Sequence, residues 1–147
     1  MPVYDTGCYT GLQAEPEIFW WRSVRIFKNK AFVRFANKAG IGDGALCRAI
    51  RHAERGLIAA DLGGGVIKQR IARPGQGKSG GFRALIAFKA GARAIFVHGF
   101  AKNEIGNIRN DELVALRRLA AELLAYDDEA MERVVASGTL MEVMCDE

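Results

Sequence analysis

The sequence predicts a small α+β domain: an N-terminal helical hairpin packed on a small antiparallel β-sheet, followed by C-terminal helices. Three observations carry this. Apolar residues recur at helical spacing in two adjacent stretches, Phe27, Ala31, Phe35 and Ala39, then Leu46, Ile50, Ala53 and Leu57. The middle of the chain switches to alternation with a period of two, broken by glycines. Helical spacing returns from Leu113 onward. At 147 residues, half of them apolar, the chain has the length of one domain and enough apolar surface for a core.

Residues 1–23 show no period and contain Gly7, Gly11 and Pro16, so they are expected to be a peripheral or disordered extension, with the domain proper at 24–147. Phe19, Trp20 and Trp21 interrupt that stretch; three consecutive aromatics suit docking on the domain better than base stacking. Val24 to Phe27 is a short strand. The first helix runs through residues 28–39 and Gly40 ends it. Asp43 has the character of an N-cap for the second helix, and Gly56 of its stop. Only a few residues join the two, the spacing of an antiparallel hairpin.

Gly63, Gly64 and Gly65 break the chain and the strands begin. Between Val66 and Ile71, Lys68 and Arg70 take one face, Ile67 and Ile71 the other. Residues 73–81 read as a glycine-rich loop. From Phe82 onward, Phe82, Ile86 and Phe88 share one face, and Arg83, Leu85 and Lys89 the opposite one. Ala90-Gly91-Ala92 is a tight turn, and Arg93 to Phe100 is the next strand. Asn110 or Asp111 caps a third helix with Leu113, Leu116, Ala120, Leu123 and Leu124 on its apolar face. Asp127 and Asp128 start a short fourth helix, which Gly138 stops. Thr139 to Met144 suits either a final strand or a tail.

The net charge of +4 conceals an uneven distribution. Residues 65–109 hold nine Lys/Arg against one acid, Glu104, whereas residues 110–147 hold ten acids against three basic groups. Strands with that much unneutralised charge need a polyanion to face, and nucleic acid is the commonest one. The alternative is that the acidic helical tail folds back and neutralises part of the sheet. Cys8, Cys47 and Cys145 are odd in number and widely spaced; they fit free thiols in a reducing cytoplasm and offer no metal site. No apolar run has the length of a membrane span, and no signal peptide opens the chain. No cofactor is expected.

Ala72 to Ser79, ARPGQGKS, matches a relaxed phosphate-binding loop with Ala for the first glycine. That loop works only with a helix directly after the Ser, whose N-terminus adds to the anion field. Here Gly80, Gly81 and an alternating strand follow, so nucleotide hydrolysis is excluded. Phosphate contact through the loop's N–H groups and Lys78 is not.

The residues Asp61-Leu-Gly-Gly-Gly65, Lys68-Gln-Arg-Ile-Ala-Arg-Pro-Gly-Gln-Gly-Lys-Ser-Gly-Gly-Phe-Arg83 and His98-Gly-Phe-Ala-Lys-Asn-Glu104 resemble the RelE/ParE superfamily of toxins from type II toxin–antitoxin systems. The likeness is to the RelE/HigB-like branch and covers about residues 24–144. It implies two N-terminal helices on a small antiparallel sheet with a basic concave face. Members of the RelE kind are endoribonucleases (mRNA interferases): they cut mRNA, often on the ribosome, stop translation and growth, and are silenced by a cognate antitoxin, here expected to be a small helix-turn-helix protein. The ParE kind poisons DNA gyrase, so a non-catalytic gyrase poison or an RNA-binding regulator is the alternative.

Metal-free RNA cleavage needs an activated 2′-OH, a clamp for the phosphorane's charge and a proton for the leaving 5′ oxygen. Lys68 and Arg70 share a face about 7 Å apart, and Arg83 on the next strand can converge with them. By likeness to the family pattern these three are the expected catalytic residues. Arg83 would clamp the scissile phosphate, because its fork suits two phosphate oxygens. Lys68 and Arg70 would hold developing charge, with Lys68 also the candidate base. Lys102 and Asn103 follow the last strand, where the family places further active residues. Arg73, Lys78 and Lys89 are the candidate RNA-binding residues, unless the loop bearing the first two is simply solvated. His98 is either a proton donor or half-buried in the sheet, since alternation groups it with Phe96 and Phe100. Several RelE-like nucleases use a C-terminal tyrosine or a histidine as general acid. This chain has no Tyr between Tyr9 and Tyr126, which leaves the acid open.

Overall fold

The computed structural model describes residues 24–73, 77–101 and 108–145, with side chains described outside 73–80. The expected extension 1–23 and its aromatic triplet lie outside the described residues, as do Lys102 and Asn103. The order is β1 (Arg25–Asn29), α1 (Lys30–Ala39), α2 (Asp43–Glu54), β2 (Ala60–Gly63), β3 (Val66–Arg73), β4 (Gly77–Lys89), β5 (Arg93–Ala101), α3 (Asn110–Ala125), α4 (Asp128–Ala136) and β6 (Leu140–Val143). The strands form one sheet in the order β2-β3-β4-β5-β1-β6. It is antiparallel except where β1 runs parallel to β5, Arg25 opposite Arg93. The α+β class is therefore as the sequence predicts.

Alternation along the strands decides what each face buries. On one face Ile67, Ile71, Phe82, Ala84, Ile86 and Phe96 pack under α1 and α2. Here α1 lies on β1 and β5, and α2 on β3, so each helix covers its own part of the sheet. On the other face Val66, Leu85, Ala87, Ile95 and Val97 pack under α3 and α4 with Ala120, Leu123 and Met131. Phe27, Phe32, Phe96 and Met131 are fully buried, each contributing roughly 1.5–3 kcal/mol by leaving water.

Four local expectations change, and one left open is settled. The N-cap of α3 is Arg109, not Asn110 or Asp111. The glycine-rich stretch 73–81 is largely strand: β4 starts at Gly77, and Gly77 pairs with Arg73 across a register shift. Its helix-less continuation agrees with the rejection of a nucleotide loop. Ala60–Gly63, where the sequence predicts no strand before the glycine break at Gly63, forms β2 on the outer edge of β3. Asp43 is not the N-cap of α2; Gly42 is. Asp43 instead accepts from Lys28 Nζ at 2.9 Å and from the Met144 amide at 3.2 Å, tying α2 to β1 and to the tail. The segment Thr139–Met144 resolves into β6, antiparallel to β1.

The cysteines are also not all free thiols. Cys47 of α2 and Cys145 just after β6 are disulfide-bonded, with Cα atoms 5.9 Å apart and a sequence separation of 98. A pair that far apart carries no local signal; β6 pairing with β1 is what returns the tail to α2. Closing a loop of that length stabilises by about 4–5 kcal/mol on the chain-entropy account.

The tail also neutralises part of the basic side. Arg25 forks onto Glu142 at 2.8 and 3.0 Å and reaches Glu132 at 3.0 Å. Arg93 donates to the Leu123 and Tyr126 carbonyls at 2.8 and 2.7 Å, closing the C-terminal end of α3. Arg117 donates to the Leu62 carbonyl and packs across Gly63 and Gly64. These guanidiniums hold the fold together.

Candidate functional site

The helices α3 and α4 cover only part of their face of the sheet. On the rest of it, the register brings the expected residues into two adjacent rows. Arg70 of β3 stands opposite Arg83 of β4, which stands opposite Phe100 of β5. In the neighbouring row Lys68 stands opposite Leu85, which stands opposite His98. Cross-strand neighbours are about 5 Å apart and diagonal ones about 7–8 Å, so Lys68, Arg70, Arg83 and His98 ring one patch about 10 Å across. Leu85, buried, is its floor; Lys68, Arg70 and Arg83 are half-buried and His98 is exposed.

The position of His98 corrects the expected alternation. The β4–β5 register shifts between Leu85 and Ile86: Ile86 faces Phe96, Leu85 faces His98, and Val97 is the extra residue. This bulge reverses the sidedness of everything after it. Phe96 stays in the core under α1 and α2, while His98 and Phe100 emerge on the basic face, their rings 5.9 Å apart. A bulge so placed re-aims a side chain, which strict alternation cannot foresee.

Two residues that alternation did not single out hold the bulge. Asn29 ends β1 and accepts from the Phe32 amide at 2.8 Å, capping α1, while its Nδ2 donates to the Val97 carbonyl at 3.2 Å. Gly99 follows the bulge toward α1, where an added Cβ would lie 2.4 Å from the Phe35 ring and 3.0 Å from Phe32. Only a glycine lets the bulged strand approach those rings.

Gly81 does a related task between the two arginines. A Cβ there would meet the Ile71 carbonyl at 3.2 Å, Arg70 Nε at 3.5 Å and Arg83 Nη1 at 3.9 Å. Both guanidiniums therefore lie over a position with no side chain, and they converge there as the strand faces predict. Arg83 Nη1 also touches the Phe82 carbonyl at 3.4 Å. Among the described residues neither Lys68 nor Arg83 is in an ion pair.

The remaining expected residues fall elsewhere. Arg73 and Lys78 are on the β3–β4 ladder beyond Gly81, and their side chains lie outside the description. Lys89 is exposed at the opposite end of β4, six residues or roughly 20 Å from Arg83. Tyr126, the only tyrosine among the described residues, caps the far end of α3 with its hydroxyl on Glu122. Among the described residues no group of three or more His, Cys, Asp or Glu side chains could hold a metal ion. No helix of the described residues is long and apolar enough to cross a membrane.

Three cations converging on one patch, with an exposed imidazole beside them, can bind a phosphodiester and move a proton at its edge. Residues 24–143 match the family model described as the RelE toxin of the RelE/RelB toxin–antitoxin system. No curated protein matches the chain.

Proposed function

Because this chain belongs to the RelE family of toxins of toxin–antitoxin systems, and its family thereby implies a cognate antitoxin, we propose that it is a metal-free endoribonuclease that cleaves mRNA on the ribosome and so stops translation and growth. The observation that carries the reading is the pair of rows in which Arg70 and Arg83 meet over Gly81 with Lys68 and His98 beside them. An mRNA substrate implies a cytoplasmic site of action, and the silencing antitoxin is expected to be a small helix-turn-helix protein.

The chemistry follows from the placement. Arg83 and Arg70 grip the non-bridging oxygens of the scissile phosphate and stabilise the charge that grows on them in the phosphorane. Lys68, one row away, acting as the free amine rather than as the ammonium, takes the proton of the 2′-OH as its oxygen bonds to phosphorus. The bond from phosphorus to the 5′ oxygen breaks, and His98 across the patch gives that oxygen a proton. The products are a 2′,3′-cyclic phosphate and a 5′-hydroxyl. Leu85 keeps the floor dry, which strengthens each electrostatic contact. Arg73, Lys78 and Lys89 are the proposed grip on flanking RNA, and Lys102 and Asn103 complete the proposed catalytic set.

The test is induction in a bacterium with transcript ends mapped. Growth should arrest, new 5′-hydroxyl ends should accumulate within coding regions, and chelators should not protect RNA treated with the purified protein and ribosomes. Arg83→Ala should reduce cleavage by about 10²–10³, the usual worth of one donor to a developing oxyanion. Arrest with intact transcripts and broken DNA would overturn the nuclease reading in favour of a gyrase poison.

A further inference from the structure

Next to the patch, β3 becomes an edge of the sheet. β2 pairs with it only as far as Lys68, opposite Ala60. Beyond that point a groove of roughly 670 Å³ opens between α2 and β3, within the range of sites that take a nucleotide-sized ligand. Its position is fixed from below: the buried Gln69 donates to the Ala49 and Leu57 carbonyls, each at 2.9 Å, fastening α2 and the segment after it to the strand.

The lining has a consistent chemistry. Arg48, His52 and Arg70 contribute its charged and titratable groups, and no acid among the described residues lines it. Apart from Gln69 the rest of the wall is apolar, and Leu57 is held 60 % exposed, an open apolar surface beside two guanidiniums. Arg70 belongs to both the groove and the patch, so the two are continuous over the strand edge. Proteins hold single-stranded nucleic acid with a positively charged groove for the backbone and side chains, most often aromatic, against the bases; here the exposed Leu57 offers the contact for a base.

We propose that this groove is a nucleotide subsite, occupied by a nucleotide of the same RNA strand that passes from the scissile phosphate over the β3 edge. Arg48 meets its phosphate and Leu57 its base. The inference rests on the nuclease reading, which supplies the strand at Arg70. An acidic peptide would satisfy the charges alone; continuity with the phosphate-binding patch favours RNA.

The experiment uses the full chain and a fluorescein-labelled, fully 2′-O-methylated nonaadenylate, which cannot be cleaved, with anisotropy followed across a salt series. Arg48→Gln should weaken binding and lower the slope of log affinity against log salt by about one, the effect of one lost phosphate contact. Arg48→Lys should keep the slope. Leu57→Asp should weaken binding by about tenfold, near the lower end of what a base contact contributes. Lys38→Gln, an exposed cation on α1, should change neither. Both substituted groove side chains are exposed, and unchanged urea midpoints confirm the fold.

If wild type binds the probe and Arg83→Ala weakens it, but Arg48→Gln and Leu57→Asp do not, the groove assignment is overturned while the nuclease reading stands. If those two variants keep RNA affinity and lose the antitoxin, the groove is a protein seat and the proposal is also overturned. No binding of the probe by wild type overturns the subsite, while the nuclease reading, which places cleavage on the ribosome, is decided by the transcript ends.

Discussion

Replacing Asn29 separates two tasks that one side chain performs. Its Oδ1 caps α1 through the Phe32 amide, and its Nδ2 holds the carbonyl of the bulge residue Val97. Asn29→Ala removes both. Loss of the cap costs about 1 kcal/mol, and leaving a part-buried carbonyl without its donor costs about 1–2 kcal/mol, so the sum is about 2–3 kcal/mol. Asn29→Ser keeps an oxygen that can cap but cannot reach Val97, so it should cost only the second share, about 1–2 kcal/mol. Urea unfolding with linear extrapolation measures both. The same two variants should cut RNA more slowly with little change in KM, because the bulge aims His98 while Arg70 and Arg83 are untouched. Equal stabilities for Asn29→Ser and wild type, or full cleavage in a variant whose cleavage still depends on His98, would refute the claim that this residue sets the bulge.

Other perturbations test separate parts. Gly99→Ala should destabilise by about 1–3 kcal/mol or more, since a methyl group must displace the Phe35 ring it would otherwise overlap; thermal unfolding reads this. Cys145→Ser, or a reductant, should lower stability by about 2–5 kcal/mol without moving the patch, seen as a fall in urea midpoint with cleavage retained below it. His98→Gln should slow cleavage of RNA more than it weakens binding, and a substrate with a better leaving group at the 5′ position should recover most of the rate. Lys89→Ala should lower the salt slope for long RNA and leave the chemical step alone, because the residue stands roughly 20 Å from Arg83.

The basic block that stands out in the sequence divides on folding. Within it, Arg93 ends up bonded to backbone carbonyls of the helical layer; outside it, Arg117 of α3 donates to the Leu62 carbonyl of β2 and Arg25 is taken by the acidic tail. Lys68, Arg70 and Arg83 remain on the uncovered part of the sheet. Reading total charge as a binding surface overstates it; what matters is which cations sit where α3 and α4 stop.

The sequence by itself determined the α+β class, the ends of most helices and strands, and the shared face of Lys68, Arg70 and Arg83. Those features are local: an alternation of two or a spacing of three to four residues, punctuated by glycines, expresses a backbone preference within a few neighbours. The motif carried the family for the same reason. Only the tertiary structure decided the rest. The bulge at Val97 that turns His98 outward is bonded to Asn29, 68 residues away. The parallel pairing of β1 with β5, the Cys47–Cys145 bond and the groove beside Arg70 likewise join segments remote in the chain. Such contacts leave no periodic trace, because the pairing partner of a strand and the point where its register slips are set by packing across the whole sheet.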